Sequence, residues 1–264
     1  MSAITVDSIA FHYTENFPVL KSVSFEVQEK EKWAIIGKNG SGKSTLLKCL
    51  GNLLQVKGGS ISVEGKRITS YRSIELAKLI AYVPQASNRS LPPYSVREFV
   101  MLGRFPYQGF FCLPGRQDKK IIDAVLQLTD TRSLADRLLH TLSGGELQRV
   151  FLAAAVAQKT PILLLDEPMS FLDPLHQAMM QRSLDQIHDE FSTTIVTVTH
   201  DVNQALNRFS HICALFDGAP FFIGTSDRFK ENANKLLQEV YSITFAEIKS
   251  YSNGSRYYLP EGIS

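Results

Sequence analysis

"KWAIIGKNGSGKSTLLKCLGNLL", residues Lys32 to Leu54, decides the fold. It opens as a continuous apolar run, as a strand buried on both faces reads. It closes with apolar residues at helical spacing. Between the two, "GKNGSGKS", Gly37 to Ser44, matches GxxxxGK[ST]. Glycines there let backbone N–H groups curl around phosphate oxygens, and a helix opening near Lys43 adds its positive dipole end. In this pattern Lys43 reaches the β- and γ-phosphates and the Ser44 hydroxyl ligates magnesium. The strand before the loop and the helix after it are the context that separates such a match from chance.

Working outward, "SIAFHY" and "SVSFEV" alternate apolar and polar residues and predict strands within Ile4 to Val27. "GGSISVEG" and "LIAYVPQ" predict two further short strands. From about Asn88 to Asp136 the pattern is helical, in "SVREFVMLGRF" and "DKKIIDAVLQLT", with "PYQGFFCLPG" as the connection. "ELQRVFLAAAVAQ" predicts another helix. Then "PILLLDEP", "PLHQAMMQRSLDQIHDE", "TTIVTVTH", "DVNQALNRF" and "HICALF" alternate strand and helix. Alternation of this kind predicts an α/β fold with a largely parallel sheet covered by helices.

Composition bounds the function. At 264 residues the chain has one or two domains' worth of core, and 44% hydrophobic with 20% charged residues is globular. A net charge of +2 gives no nucleic-acid footprint, so no nucleic-acid partner is expected. No apolar run approaches the roughly 18 residues of a membrane span, and the N-terminus carries no signal-peptide pattern. Cys49, Cys112 and Cys213 are far apart, form no CxxC and read as reduced thiols without a disulfide framework or zinc site.

A phosphate loop alone does not choose among kinases, GTPases and motor ATPases. The guanine-specific NKxD motif is missing; "NKLL" at Asn234 lacks the aspartate. "ILLLDEP" sets Asp166 and Glu167 at the C-terminal edge of a strand, where open α/β sheets bind ligands. There Asp166 can support magnesium and Glu167 can polarise a water.

A third motif, "LSGGELQR" (Leu142 to Arg149), completes a set. With it the chain resembles the ATP-binding-cassette family from about residue 4 to residue 245. The resemblance implies a P-loop NTPase, RecA-like core with an N-terminal antiparallel β subdomain and an inserted helical subdomain. Its boundaries would be 1–87 and 159–245 for the core, about 88–158 for the helical insert, and 246–264 for a short C-terminal tail. It implies an ATP-binding set of Tyr13, Gly37, Asn39, Gly40, Ser41, Gly42, Lys43, Ser44 and Thr45, with Tyr13 stacking on adenine. Gln85, in "YVPQ", matches the glutamine that senses magnesium and the membrane partner. Magnesium would then be held by Ser44, Gln85 and Asp166. Glu167, His200 and Gln85 would serve catalysis, His200 in "VTVTHD" as the switch near the γ-phosphate. Ser143, Gly144, Gly145 and Asp173 would act on the nucleotide of a partner chain. Phe171 departs from the family, where smaller residues are commoner in that loop.

The resemblance also explains why one small chain has a second glycine-rich turn. Two chains, identical or a pair of related subunits, would dock head to tail, each signature capping the ATP on the other's P-loop. Such a subunit works at the cytoplasmic face of the inner or plasma membrane, docked on separate permease subunits and served indirectly by a periplasmic or extracellular substrate-binding protein. The segments "SVREFVMLGRFPYQG", "LDPLHQ" and "HDVNQALNRF" look like the importers of iron–siderophore, haem and cobalamin chelates. Zinc and manganese importer ATPases, and a soluble cassette ATPase outside transport, are the alternatives.

Overall fold

The computed structural model describes residues 1–85, 91–108, 115–250 and 255–262. In chain order β1 (Ser2–His12), β2 (Pro18–Gln28) and β3 (Lys32–Gly37) lead into α1 (Lys43–Leu50). β4 (Gly58–Val63), β5 (Lys66–Arg67), α2 (Ser73–Leu76) and β6 (Ile80–Val83) follow. A mostly helical stretch comes next: α3 (Val96–Leu102), α4 (Arg116–Leu128) and α5 (Gly144–Ala157), then β7 (Ile162–Asp166) and α6 (Pro174–Phe191). The chain ends with β8 (Thr194–Val198), α7 (Val202–Arg208), β9 (His211–Phe216), β10 (Ala219–Thr225), α8 (Ser226–Lys230), α9 (Ala233–Tyr241), β11 (Thr244–Lys249) and β12 (Arg256–Gly262). These elements form two compact units, residues 1–70 with 195–264, and residues 71–194.

In the first unit the alternating strands become an antiparallel sheet. β1 lies between β2 and β4, and β5 pairs with β4. Along β2 inward Val23, Phe25 and Val27 alternate with exposed Ser22, Ser24 and Glu26, which leaves one face for the core. β3 has no such alternation. Trp33 to Gly37 are all buried, as in a strand covered on both faces, and parallel partners flank it: β8 pairs along Lys32–Ile35 and β9 along Trp33–Gly37. β10 returns antiparallel to β9 through Asp217 and Gly218, at φ 49° and 77°. Two successive positive-φ residues make the tight hairpin turn that matches strand twist. The last stretch is a hairpin as well, β11 against β12.

The second unit holds a parallel pair, β6 with β7, and the helices α2 to α6. β7, "ILLLD", is buried at every residue. α3 starts at a capping box in which Ser95 accepts from the Glu98 N–H and Glu98 accepts from the Ser95 N–H. Arg104, next to α3, is buried. It ion-pairs with Asp118 of α4 at 2.9 Å and donates to the Ala157 carbonyl at the end of α5 at 2.7 Å, tying three helices together. The boundary expected near residues 87–88, Cys112 and most of the "PYQGFFCLPG" connection lie outside the described residues. Among the described residues no helix is long and apolar enough to cross a membrane.

Candidate functional site

The phosphate loop belongs to the first unit. Gly37 ends β3 at φ 148°, and a Cβ there would run into the Leu215 carbonyl oxygen and come within 2.7 Å of the Ser41 hydroxyl. Gly42 sits at φ 96° with the Val19 carbonyl oxygen 2.8 Å from where a Cβ would stand. Only glycine fits at either position. α1 starts immediately afterwards with Gly42 as its cap, and no side chain caps its first turn. A helix start of that kind, behind a curled loop, is an anion cradle. Lys43 is 5% exposed, and its Nζ donates to the carbonyls of Gly37 and Lys38, each at 2.9 Å. The ammonium is thus held across the loop it is expected to serve. The Ser41 hydroxyl is buried and has no hydrogen-bond partner, a polar atom whose burial a phosphate oxygen would satisfy.

Tyr13 lies at the rim. Its ring is 62% exposed, meets Phe11 edge-on at 4.9 Å, and its hydroxyl lies 3.3 Å from that of Thr45. An exposed aromatic face tethered to the helix that follows the loop suits stacking on a base. His200 is exposed just beyond β8. The turn that carries it is pinned on both sides. Thr199 Oγ1 donates to Gln204 and accepts from the Asp201 N–H, while Asp201 caps α7 by accepting from the Gln204 N–H at 2.9 Å.

The carboxylates belong to the second unit. Asp166 closes β7, is 7% exposed and accepts from the Tyr82 hydroxyl at 3.0 Å. Burial first, and the Asp166 carboxylate second, push the Tyr82 phenol far above its ordinary value, so it stays a donor. Glu167 follows at φ 47°, a left-handed conformation that turns the chain sharply at the strand end. Its carboxylate accepts from Ser170 at 2.8 Å and from Gln85 Nε2 at 3.4 Å. Asp166, Glu167 and Gln85 are thereby brought together. Tyr82 and Ser170 were missed, and no sequence signal marks either.

The signature has its own local logic. Ser143 caps α5 and Glu146 returns the bond: Ser143 Oγ accepts from the Glu146 N–H at 3.3 Å, and Glu146 accepts from the Ser143 N–H at 2.8 Å. That backbone bond is the main reason the Glu146 carboxyl lies below its usual range. At Gly144 an added Cβ would meet nothing within 4 Å. At Gly145 it would touch the His176 ring at 3.0 Å. His176 is held by Asp173, whose carboxylate accepts from its backbone N–H at 2.9 Å and lies 2.7 Å from its Nδ1. These contacts, backbone first, hold the Asp173 carboxyl low. His176 therefore joins Gly145 to Asp173, a link between two sequence-predicted segments that the sequence did not reveal. Gln148, also unremarked, donates from α5 to the Pro84 carbonyl at 3.2 Å, beside Gln85. Phe171 is 94% exposed at φ 61°, so the bulky residue in that loop packs against nothing in its own unit.

Beside Gln85 a groove of about 220 Å³ is lined by Tyr82, Pro84, Phe99, Leu102, Phe151 and Gln158. The Phe99 and Phe151 rings lie 5.5 Å apart, and Leu102 is half exposed. Among the described residues no cluster of three His, Cys, Asp or Glu side chains could hold a metal unaided.

The comparisons with known proteins agree with this anatomy. Residues 20–170 match the ABC transporter family. The petrobactin import ATP-binding protein FpuC of Bacillus anthracis is 32% identical over 99% of this chain and 94% of its own. The ferric enterobactin transport ATP-binding protein FepC of Escherichia coli K12 is 34% identical over 93% and 90%. Among solved structures, an inward-facing transporter described as of the metal-chelate ABC type superposes with a TM-score of 0.85 at 26% identity, over 99% of this chain and 98% of that one. A dimeric cassette bound to ADP and Pi superposes with a TM-score of 0.75 at 28% identity, over 84% and 98%. The matched span contains the phosphate loop, the signature and the carboxylate strand, and the full-length relatives extend the likeness to nearly every residue. The chain belongs to the ABC transporter family.

Proposed function

We propose that the protein is the ATP-hydrolysing subunit of an importer for iron–siderophore, haem or cobalamin-type chelates, docked on separate membrane permease subunits at the cytoplasmic face. ATP-binding subunits of this family are ATPases. In this reading Gly37 to Thr45 wrap the triphosphate, Lys43 supplies a counter-charge to the β- and γ-phosphates, and Tyr13 stacks on the base. The Ser44 hydroxyl, the Asp166 carboxylate and the Gln85 side-chain oxygen are hard oxygen donors. Few protein donors completed by phosphate oxygens is the usual magnesium arrangement, so the donor set suits that ion. Magnesium, when bound, would neutralise charge between the β- and γ-phosphates. Glu167 orients and polarises the attacking water, held in place by Ser170 and Gln85. His200 faces the γ-phosphate as the switch. Ser143, Gly144, Gly145 and Asp173 act on the ATP of a second copy, so the working form is a head-to-tail homodimer. A binding protein outside the membrane delivers the chelate to the permease.

The observation that carries the transport reading is the apolar groove beside Gln85. It places Phe99, Phe151 and the half-exposed Leu102 next to a loop bonded to Glu167, where a short cytoplasmic helix of a permease would report to the water-activating carboxylate. Leu102→Glu tests it. The variant should keep the ATPase rate of the isolated subunit within about twofold, since surface changes of this kind leave the fold intact. It should lose ferric-chelate uptake and co-purification with the permease. Undiminished uptake would refute the docking assignment.

A further inference from the structure

The end of α9, just before the short tail expected from residue 246, reaches the phosphate loop. The Tyr241 hydroxyl accepts from the Gly37 N–H at 3.2 Å. The next residue, Ser242, sits at φ 56° and its hydroxyl accepts from Lys38 Nζ at 2.7 Å. Gly37 and Lys38 are the two residues whose carbonyls hold the Lys43 ammonium. Two adjacent C-terminal side chains therefore grip the two residues that aim the phosphate-binding lysine. Tyr241 is itself fixed, its ring meeting Phe245 edge-on at 6.0 Å.

The same segment also grips α7, the helix that follows the His200 turn. From α7, the Asn203 side chain donates to the Tyr258 carbonyl at 3.1 Å and accepts from the Tyr258 N–H at 2.7 Å, as a neighbouring strand would. One helical turn later Asn207 donates to the Arg256 carbonyl at 2.9 Å. Burial above all pushes the Tyr241 phenol up to about 12, against the opposing pull of the Gly37 N–H and with a smaller push from the Asp201 carboxylate beside His200. Tyr241 thus stays protonated and neutral at any physiological pH.

We propose that Tyr241 and Ser242 are positioning residues for Lys43, and that the end of α9 and strand β12 hold the phosphate loop and α7, the helix after His200, to a common C-terminal clamp. The inference rests on the reading of Lys43 as the phosphate lysine. Removing the Tyr241 hydroxyl releases the Gly37 N–H and loosens the residue whose own carbonyl helps to orient the Lys43 ammonium. Tyr241 and Ser242 act on binding through Gly37 and Lys38, the residues that hold the Lys43 ammonium.

A double-mutant cycle on the full chain separates this from a merely structural role. The variants are Tyr241→Phe, which keeps the ring, Lys43→Ala, and both together. Each is titrated with a fluorescent ATP analogue, and each is melted in parallel. Tyr241→Phe alone should weaken analogue binding about 2- to 10-fold, the range of one lost hydrogen bond. In the Lys43→Ala background it should change binding no further, while its effect on Tm is the same in both backgrounds. Ser242→Gly, which suits the left-handed cap and removes the hydroxymethyl group, should repeat the pattern more weakly. Equal loss of binding with and without Lys43, or no loss in either C-terminal variant, would overturn the proposal. Wild-type binding by Lys43→Ala would instead overturn the reading of Lys43 on which it rests, a result visible in the single variant alone.

Discussion

Gly37 and Gly144 open two glycine-rich turns, and the chain needs them for different reasons. At Gly37 the chain itself forbids a side chain, through a φ of 148° and the Leu215 carbonyl. At Gly144 a Cβ would meet nothing, and the residue begins an ordinary α-helix already capped by Ser143 and Glu146. The phosphate loop is thus built by internal demands. The signature has none at Gly144, so whatever requires a glycine there comes from outside the chain. A second cassette carrying ATP is the partner that the proposed mechanism supplies, and Phe171, exposed at a positive φ in the neighbouring loop, fits the same surface.

That contrast can be broken, first at its rigid side. Gly37→Ala should strain the loop and displace the Lys43 cradle, cutting ATPase turnover by about 10³-fold, because an electrostatic group moved from a reacting phosphate loses most of its worth. Near-normal turnover would show that the loop is not internally fixed. Next in size, Glu167→Gln should lower turnover by about 10²- to 10³-fold, as loss of a positioned base does. ATP binding should persist, and gel filtration with ATP should show a doubled mass that wild type loses as it hydrolyses.

Gly144→Ala sharpens the comparison. Alanine improves helix propensity by up to about 1 kcal/mol over glycine, so Tm should hold or rise. Turnover should nevertheless fall about tenfold, because one methyl group at a surface closing on a nucleotide costs about that much. A fall in both Tm and turnover would mean that the requirement is internal after all. The smallest effect belongs to the framework of the second unit. Its hydrogen bond from Arg104, above all, holds the Asp118 carboxyl below the usual range. A depressed carboxyl stabilises the fold above its unfolded value near 4 and loses that contribution as pH falls through the folded value. Asp118→Asn should therefore lower stability by about 1 kcal/mol at pH 7 and flatten the loss of Tm between about pH 5 and pH 3, with turnover unchanged at pH 7.

The two regions also differ in how far they could be read from residues alone. The phosphate loop, β3, β7 and α5 were legible because local rules write them: glycines at strained φ, unbroken apolar strands, a capped amphipathic helix. Asp166 and Glu167 were legible for the same reason, at the end of an apolar strand, whereas Gln85 came only from the family resemblance. β10 was passed over, although Asp217–Gly218 is a hairpin signal, because "APFFIGT" carries a proline and no clean alternation. The hairpin of β11 and β12 was illegible for a different reason. It is held by Asn203 and Asn207, about fifty residues away, through side chain to backbone bonds that leave no periodic trace. The contact of His176 with Gly145 and the grip of Tyr241 on Gly37 are hidden likewise: each joins residues that only the folded chain brings near.

The central claim is that each signature serves the ATP of another chain, and mixing two inactive chains tests it most directly. One chain carries Lys43→Ala and an intact signature. The other carries Ser143→Asp, which preserves the helix cap but sets a negative charge where the γ-phosphate should lie. Neither should hydrolyse ATP alone. Mixed in equal amounts, half the pairs are hybrids with one intact phosphate loop facing one intact signature, so about a quarter of wild-type turnover should return. A mixture no more active than its two components would contradict the account and place each signature in the service of its own chain.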